Sequence, residues 1–144
     1  MNDLIKTNSP VIEIPIEIVN QILAHAQSVA ESEICGFIAT KNGSINKIYP
    51  VENIASSPEC FYRMDEVQQI DAMRKIREAG EEMFGIYHSH PSSEAVPSAT
   101  DIKEAAYPDA VYFIVSLNTV GVLEMRGFRL NKEAVKELEL SVVS

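Results

Sequence analysis

The sequence has few basic residues for its number of acidic ones. Twelve Lys and Arg stand against 21 Asp and Glu, which gives a formal net charge of −9 at pH 7. A protein this acidic repels phosphate backbones, and no basic stripe along the chain offsets the repulsion. We therefore do not expect nucleic acid among its partners.

Cysteines and long apolar runs are also scarce. The two cysteines, Cys35 and Cys60, make no disulfide framework and lack C-x-x-C spacing. No apolar run approaches the ~20 residues that a membrane-spanning helix needs. Residues 1–6 show neither the basic flank nor the apolar stretch of a signal peptide. We expect a cytoplasmic protein that has no membrane partner.

The remaining composition is that of an ordinary folded domain. The 144 residues are 46% hydrophobic and 23% charged, which suffices for one buried core. Residues 1–10 are polar and are predicted to form a flexible N-terminal tail, and residues 11–144 to form a single domain. Runs typical of strands alternate with runs typical of helices. This alternation predicts an α/β fold in which helices cover the faces of a mixed sheet.

Hydrophobic periodicity predicts the individual elements. Strands are predicted at 11–14, 34–39, 44–51, 83–87, 110–115 and 122–130. Turns are predicted at Asn42-Gly43, where both residues tolerate positive φ, and at 118–121. Helices are predicted at 15–32, at 65–79 with Asp65 as its cap, at 98–106 and from Asn131 onward.

Apolar residues at helical spacing are expected to face the core. In the first helix they are Ile16, Val19, Leu23, Ala26 and Ala30. In the second helix they are Val67, Ile70, Met73, Ile76 and Ala79. In the last helix they are Ala134, Val135, Leu138 and Val142.

One short stretch after the strand at 83–87 carries most of the chemistry. If His88 and His90 end that strand, both imidazoles point to one face, because residues i and i+2 share a side of a sheet. Pro91 removes a backbone donor and stops the strand. Two neighbouring imidazoles make half of a zinc site, whose bonds to nitrogen are about 2.0–2.1 Å long. The alternative is a hydrogen-bonded pair of histidines at a sheet edge.

A carboxylate returns to this stretch shortly afterwards. Ser98 and Asp101 have the spacing of a helix N-cap followed by an acid three residues on. That arrangement holds Asp101 in the first helical turn, where it can face the histidines. Capping alone also explains both residues. When Ser98 and Asp101 are considered together with His88 and His90, we interpret the four residues as part of a metal site.

The motif resembles the signature of the JAMM (MPN-plus) metalloproteases, which is His-x-His-Pro, six residues, then Ser-x-x-Asp. The family also has a glutamate far upstream, in a segment similar to Glu-x-Cys-Gly, and this chain has Glu33-Ile34-Cys35-Gly36. The likeness continues through 61–65 and the final strands, so it covers nearly the whole chain. One departure precedes Glu33, where bacterial members often carry a proline and this chain has Glu31.

The resemblance implies one zinc ion held by His88, His90 and Asp101. It also implies that Glu33 is the general base and that Ser98 stabilises the oxyanion. The implied fold is the JAMM/MPN, cytidine-deaminase-like fold, a curved mixed sheet flanked by helices. The implied reaction is hydrolysis of a peptide or isopeptide bond after the C-terminal Gly-Gly tail of a ubiquitin-like or sulfur-carrier protein. If the resemblance is set aside, Glu33 can also be interpreted as a solvated acid at the end of a helix.

Other hydrolytic classes lack their motifs. There is no H-E-x-x-H helix of a zincin, and neither H-x-E nor P-C-x-x-C of a zinc deaminase. A Cys–His hydrolase built on Cys35 or Cys60 has no identifiable third member. A non-catalytic MPN-type scaffold and a less selective zinc peptidase remain open as alternatives. The chain has little room for the insertions with which eukaryotic deubiquitinases grip ubiquitin, so we expect sulfur-carrier processing, as in short bacterial members.

Overall fold

The computed structural model describes residues 11–118 and 124–144. In chain order its elements are β1 (Ile12–Pro15), α1 (Ile16–Ser28), β2 (Cys35–Lys41), β3 (Ser44–Val51), α2 (Glu66–Glu78), β4 (Glu82–His90), α3 (Ala99–Glu104), β5 (Val111–Ser116), β6 (Glu124–Asn131), β7 (Ala134–Leu138) and β8 (Leu140–Val143). The tail predicted at 1–10 lies outside the described residues. So do most of the turn predicted at 118–121 and the first two residues of the strand predicted at 122–130.

The main sheet has six strands in the order β3-β2-β4-β5-β6-β7. β4 and β5 run parallel and every other neighbouring pair in this sheet is antiparallel. A separate two-stranded parallel sheet joins β1 to β8. One apolar core lies between the main sheet and α1, and a second lies on the opposite face with α2. The predicted α/β fold, a mixed sheet flanked by helices, is confirmed.

Turn and cap chemistry at several element ends agrees with the sequence. Asn42 and Gly43 have φ of 53° and 81°, as expected for the turn that joins β2 to β3. The Asp65 side chain accepts a hydrogen bond from the Gln68 N–H and so caps α2. Gly80, with φ of 72°, follows the end of α2. None of the helices in the two described ranges is long and apolar enough to cross a membrane.

The centre of the sheet is aligned by a glycine opposite a large aromatic residue. Gly36 on β2 is the register partner of Tyr87 on β4. A Cβ atom added to Gly36 would lie 2.6 Å from the Tyr87 ring and 2.6 Å from the Tyr49 carbonyl oxygen. The absence of a side chain at Gly36 therefore permits this close approach.

The predicted C-terminal helix is wrong, because 134–138 and 140–143 are strands β7 and β8. Asn131 lies at a hairpin turn, where its Oδ1 accepts the N–H groups of Glu133 and Ala134. β7 then pairs with β6, and β8 pairs with the distant β1. Leu138 is buried as predicted, whereas Val142 is exposed.

The inner faces of α1 and α2 were only partly predicted. In α1 the buried residues are Ile18, Ile22 and Ala26, so Ala26 alone is shared with the predicted stripe, and the helix ends at Ser28 rather than Ser32. In α2 the buried residues are Ala72 and Ile76. Val67 and Ile70 of that helix are 76% and 69% exposed, so their placement in the core was wrong.

Candidate metal centre

Three side-chain atoms converge at the end of β4. The distance between the Nε2 atoms of His88 and His90 is 3.1 Å. Asp101 Oδ2 lies 3.2 Å from Nε2 of His88 and 3.1 Å from Nε2 of His90. All three residues are buried. The structure therefore brings together the residues that the sequence predicted as metal ligands.

The topology explains how these residues meet. His88 and His90 are the last alternate residues of β4, so both project from one face of the sheet. The parallel neighbour β5 requires a crossover connection, and α3 lies in that crossover. The first turn of α3 carries Asp101 back to the carboxyl end of β4. Ligand sites in α/β sheets commonly occupy this position, outside the carboxyl ends of parallel strands.

The triangle of donor atoms fits a zinc ion. Bonds of about 2.0–2.1 Å at tetrahedral angles place neighbouring donor atoms about 3.3–3.4 Å apart. The three observed separations of 3.1–3.2 Å are close to this value. Two imidazoles and a carboxylate are also the donor types of catalytic zinc sites, which leave a fourth position open.

Hydrogen bonding fixes the tautomer of His90. Its Nδ1 lies 2.7 Å from the carbonyl oxygen of Glu94, which only accepts. Nδ1 therefore carries the proton, and the lone pair of Nε2 faces the other two donor atoms. Carbonyl partners of this kind orient metal-binding histidines in many sites.

Asp101 is held in place by the helix that it begins. Ser98 Oγ accepts the Asp101 N–H at 3.0 Å, and Asp101 Oδ2 accepts the Ser98 N–H at 2.9 Å. This reciprocal pair is the predicted capping box. Burial raises the pKa of the Asp101 carboxyl, but its interactions with the imidazoles of His88 and His90 and with the Ser98 N–H outweigh burial and lower the pKa well below its ordinary value. The carboxylate is thus anionic, the form that binds metal.

Glu33 joins the same cluster from the segment between α1 and β2. One carboxylate oxygen of Glu33 and the donor atoms of the other three residues all lie within 4.8 Å of one another. Glu33 is only 4% exposed, and its Oε1 has no hydrogen-bond partner. Burial raises the pKa of Glu33 to about 8, the positive field of His90 opposes the rise, and Asp101 adds to it. The interpretation as a solvated acid at a helix end is therefore wrong.

The family can be identified from the sequence that builds this site. The profile described as prokaryotic homologues of the JAB domain matches residues 15–131. The chain belongs to this family. Among its JAB-family relatives, the CysO-cysteine peptidase of Mycobacterium tuberculosis is 38% identical over 135 residues, with 92% of each chain covered. A desampylase of Haloferax volcanii is 37% identical over 103 residues, which cover 67% of this chain and 74% of the relative.

A solved structure shares the architecture of this JAB-family protein over almost its full length. It is the solution structure of a protein from Desulfitobacterium hafniense, which superposes with a TM-score of 0.83 at 30% sequence identity. The match covers 93% of this chain and 94% of that chain. The chain therefore shares its overall fold with a protein of known structure.

Two side chains next to the JAB-family site were not predicted from the sequence. The Tyr62 ring packs on the His88 ring, with centroids 4.6 Å apart and an angle of 30° between the planes. Ser89, which is fully buried, accepts the Ile34 N–H on its Oγ at 2.9 Å. The strand alternation already placed Ser89 on the face opposite the histidines, but the residue types alone gave no signal for either partner. Cys35 is buried and Cys60 exposed, and neither belongs to the metal cluster.

Proposed function

We propose that this protein is a zinc metallopeptidase that hydrolyses the peptide or isopeptide bond after the C-terminal Gly-Gly tail of a ubiquitin-like or sulfur-carrier protein. The observation that carries the proposal is the convergence of two imidazoles and one carboxylate at 3.1–3.2 Å, with a buried, unpartnered Glu33 beside them. The names of the M. tuberculosis and H. volcanii relatives support the reaction and substrate class.

Each residue has a chemical role in this proposal. His88, His90 and Asp101 hold the zinc. When bound, zinc lowers the pKa of a coordinated water from 15.7 to about 7 and polarises the scissile carbonyl. Glu33 accepts the proton of the attacking water and delivers it to the leaving amine. The positive charge of a bound zinc ion would lower the raised pKa of Glu33 and keep its carboxylate anionic, and the oxygen without a hydrogen-bond partner would then be free to take the proton.

A protein without catalytic function would not need such a site. A scaffold gains nothing from an unpaired buried carboxylate, which costs free energy unless it is partnered. Metal content after purification without chelators separates the enzyme from the scaffold alternative. We further propose that the enzyme acts in the cytoplasm, which agrees with two cysteines that are both free thiols.

Ser98 has a structural role in the cap, and we propose a second, catalytic one. Its oxygen accepts the Asp101 N–H, so its own O–H remains available to donate to the oxyanion. Loss of an N-cap costs about 0.5–2 kcal/mol of stability, whereas loss of an oxyanion donor lowers kcat by about 10²–10³. We expect Ser98→Ala to show both effects, with the loss of rate dominant. Thermal unfolding and single-substrate kinetics measure them separately. A less stable but fully active variant would leave Ser98 as a cap only.

The substrate is expected to have glycine at the scissile bond. We expect the strand and loop from Tyr87 to Ser98 to leave little space for a side chain where the carbonyl reaches the metal. An extended glycine tail can also bind through main-chain hydrogen bonds along a sheet edge. A cavity of about 410 Å³ beside Asp101, with Phe61, Tyr62 and Tyr107 in its walls, leaves room for the approach.

Two substrates test this specificity directly. A carrier extended beyond its Gly-Gly terminus should be cleaved to the free carboxylate, and the same carrier with valine in place of the last glycine should be cleaved far more slowly. Casein should remain intact. Mass spectrometry of the products identifies the bond that is cut. Equal hydrolysis of the two tails, or ready digestion of casein, would replace the carrier-processing proposal with that of a less selective zinc peptidase.

A further inference from the structure

Glu33 lies just outside the sheet, two residues before β2 begins. The register between β2 and β4 begins at Cys35, which is opposite His88. One residue earlier, the Ser89 N–H still donates to the Ile34 carbonyl at 3.1 Å. The Glu33 N–H donates instead to the Pro58 carbonyl oxygen at 2.7 Å. Glu33 therefore sits where the backbone turns away from β4, and the ladder between the strands does not set its orientation.

Two side chains hold the peptide bond that follows Glu33. Its carbonyl oxygen, on Glu33, accepts a hydrogen bond from Asn53 Nδ2 at 2.9 Å. Its N–H, on Ile34, donates to Ser89 Oγ at 2.9 Å. The two bonds act on opposite ends of one planar group. A peptide plane held at both ends fixes the direction in which the Glu33 side chain leaves the backbone.

Asn53 is fully occupied by this and three further hydrogen bonds. Its Nδ2 also donates to the Phe61 carbonyl at 3.1 Å. Its Oδ1 accepts the N–H groups of Ala55 and Arg63, each at 2.9 Å. A carboxamide has two N–H donors and two acceptor lone pairs, and here all four are used. Asn53 therefore joins the Glu33 peptide to the 61–63 segment, whose Tyr62 ring packs on His88.

We propose that Asn53 and Ser89 are positioning residues that clamp the Glu33–Ile34 peptide and so aim the Glu33 carboxylate at the metal cluster. The proposal rests on the proposed function, in which Glu33 is the general base. Accurate placement matters for such a group, because a displacement of about 1 Å can lower a rate by about 10²-fold. Neither residue contacts the donor atoms of the cluster; each acts through the backbone of Glu33.

The most conservative substitution that tests the clamp, Ser89→Ala, removes one hydroxyl group. Ser89→Ala leaves the Ile34 N–H without its partner, and we expect kcat to fall by about 10–100-fold with KM unchanged within about twofold. Zinc content should remain at the wild-type level. Ser89→Thr keeps the hydroxyl in a residue that strands favour, so it should restore most of the rate. Asn53→Asp, which loses both N–H donors but keeps the acceptor oxygen, should lower kcat in the same way.

A double-mutant cycle separates positioning from general damage. If Ser89 and Asn53 act through Glu33, their substitution in a Glu33→Gln background should cost little additional rate. Gln68→Glu is the matched amide-to-acid control, because Gln68 also accepts a backbone N–H next to Asn53, that of Glu52 at 2.7 Å, but on the exposed side. It should keep activity within about twofold of wild type.

Crystal structures of the zinc-loaded proteins give a measurement that does not depend on turnover. The Glu33 carboxylate should move by about 1 Å or more in Ser89→Ala and Asn53→Asp but not in Gln68→Glu. An unmoved carboxylate, full additivity with Glu33→Gln, loss of zinc, or failure of both variants to fold would each overturn the clamp. If the wild type cleaves no carrier, the proposed function fails, and the position of Glu33 in these structures still decides the clamp.

Discussion

His88→Ala should contain no zinc and show no measurable peptidase activity, yet remain folded. The substitution removes one of the three atoms that lie 3.1–3.2 Å apart, and two protein ligands no longer define a catalytic zinc site. The fold should survive because two apolar cores on the faces of the sheet hold β4 without the metal. Asp101→Ala should behave alike, with an additional loss of stability because Asp101 also belongs to the capping box.

Elemental analysis after growth with added zinc, together with circular dichroism, tests this expectation. The chain has three histidines, and the third provides the control. His25 bonds through Nδ1 to the Tyr87 hydroxyl at 2.9 Å and lies outside the metal cluster, so His25→Ala should keep its zinc. Wild-type protein without zinc, or equal zinc in His88→Ala and His25→Ala, would show that the ligand assignment is wrong.

Glu33→Gln should keep zinc and lose turnover by about 10²–10⁴-fold, the usual contribution of a general base. The carboxamide nearly preserves the shape of the carboxylate, so the surrounding structure should change little. What it loses is the ability to accept a proton at Oε1, the buried oxygen without a hydrogen-bond partner. We therefore expect kcat to carry the loss, with an unchanged metal content.

Glu31→Gln is the matched control for Glu33→Gln. Glu31 is two residues earlier and exposed, so its substitution should leave both turnover and zinc unchanged. Kinetics and elemental analysis on the same preparations measure both quantities. Zinc loss in Glu33→Gln as complete as in His88→Ala would make Glu33 a ligand. Normal turnover would remove it from the mechanism.

The parts of the site that could be predicted from the sequence depend on local geometry. Alternation along one strand places His88 and His90 together, and a spacing of three places Asp101 in reach of the Ser98 cap. The turn at Asn42-Gly43 is likewise a property of two adjacent residues. In each case the physical cause acts over at most a few positions, so the sequence contains all of it.

The parts that could not be predicted depend on pairing between distant segments. Leu138 and Val142 have helical spacing, but β8 is a strand because β1, at the other end of the chain, offers it an edge. The hydrogen bonds of Asn53 reach Glu33 and Phe61, and nothing in a polar loop marks that role beforehand. The exposed Val67 shows the same limit. Helical periodicity identifies an apolar stripe along a helix, but it does not show which part of the protein packs against that stripe.

The close contact of Gly36 with Tyr87 helps to fix the register between β2 and β4, on which the metal cluster depends. In the observed register Tyr87 lies opposite the one glycine of β2, and a Cβ at Gly36 would lie 2.6 Å from the Tyr87 ring. A shift of one residue between β2 and β4 would lose this fit. The same shift would exchange the faces of β4 and turn His88 and His90 away from Asp101. The fit of Tyr87 against Gly36 thus favours the register that also keeps the candidate zinc ligands together. The positions of His88 and His90 therefore depend on a contact that Tyr87 makes on the opposite face of the sheet.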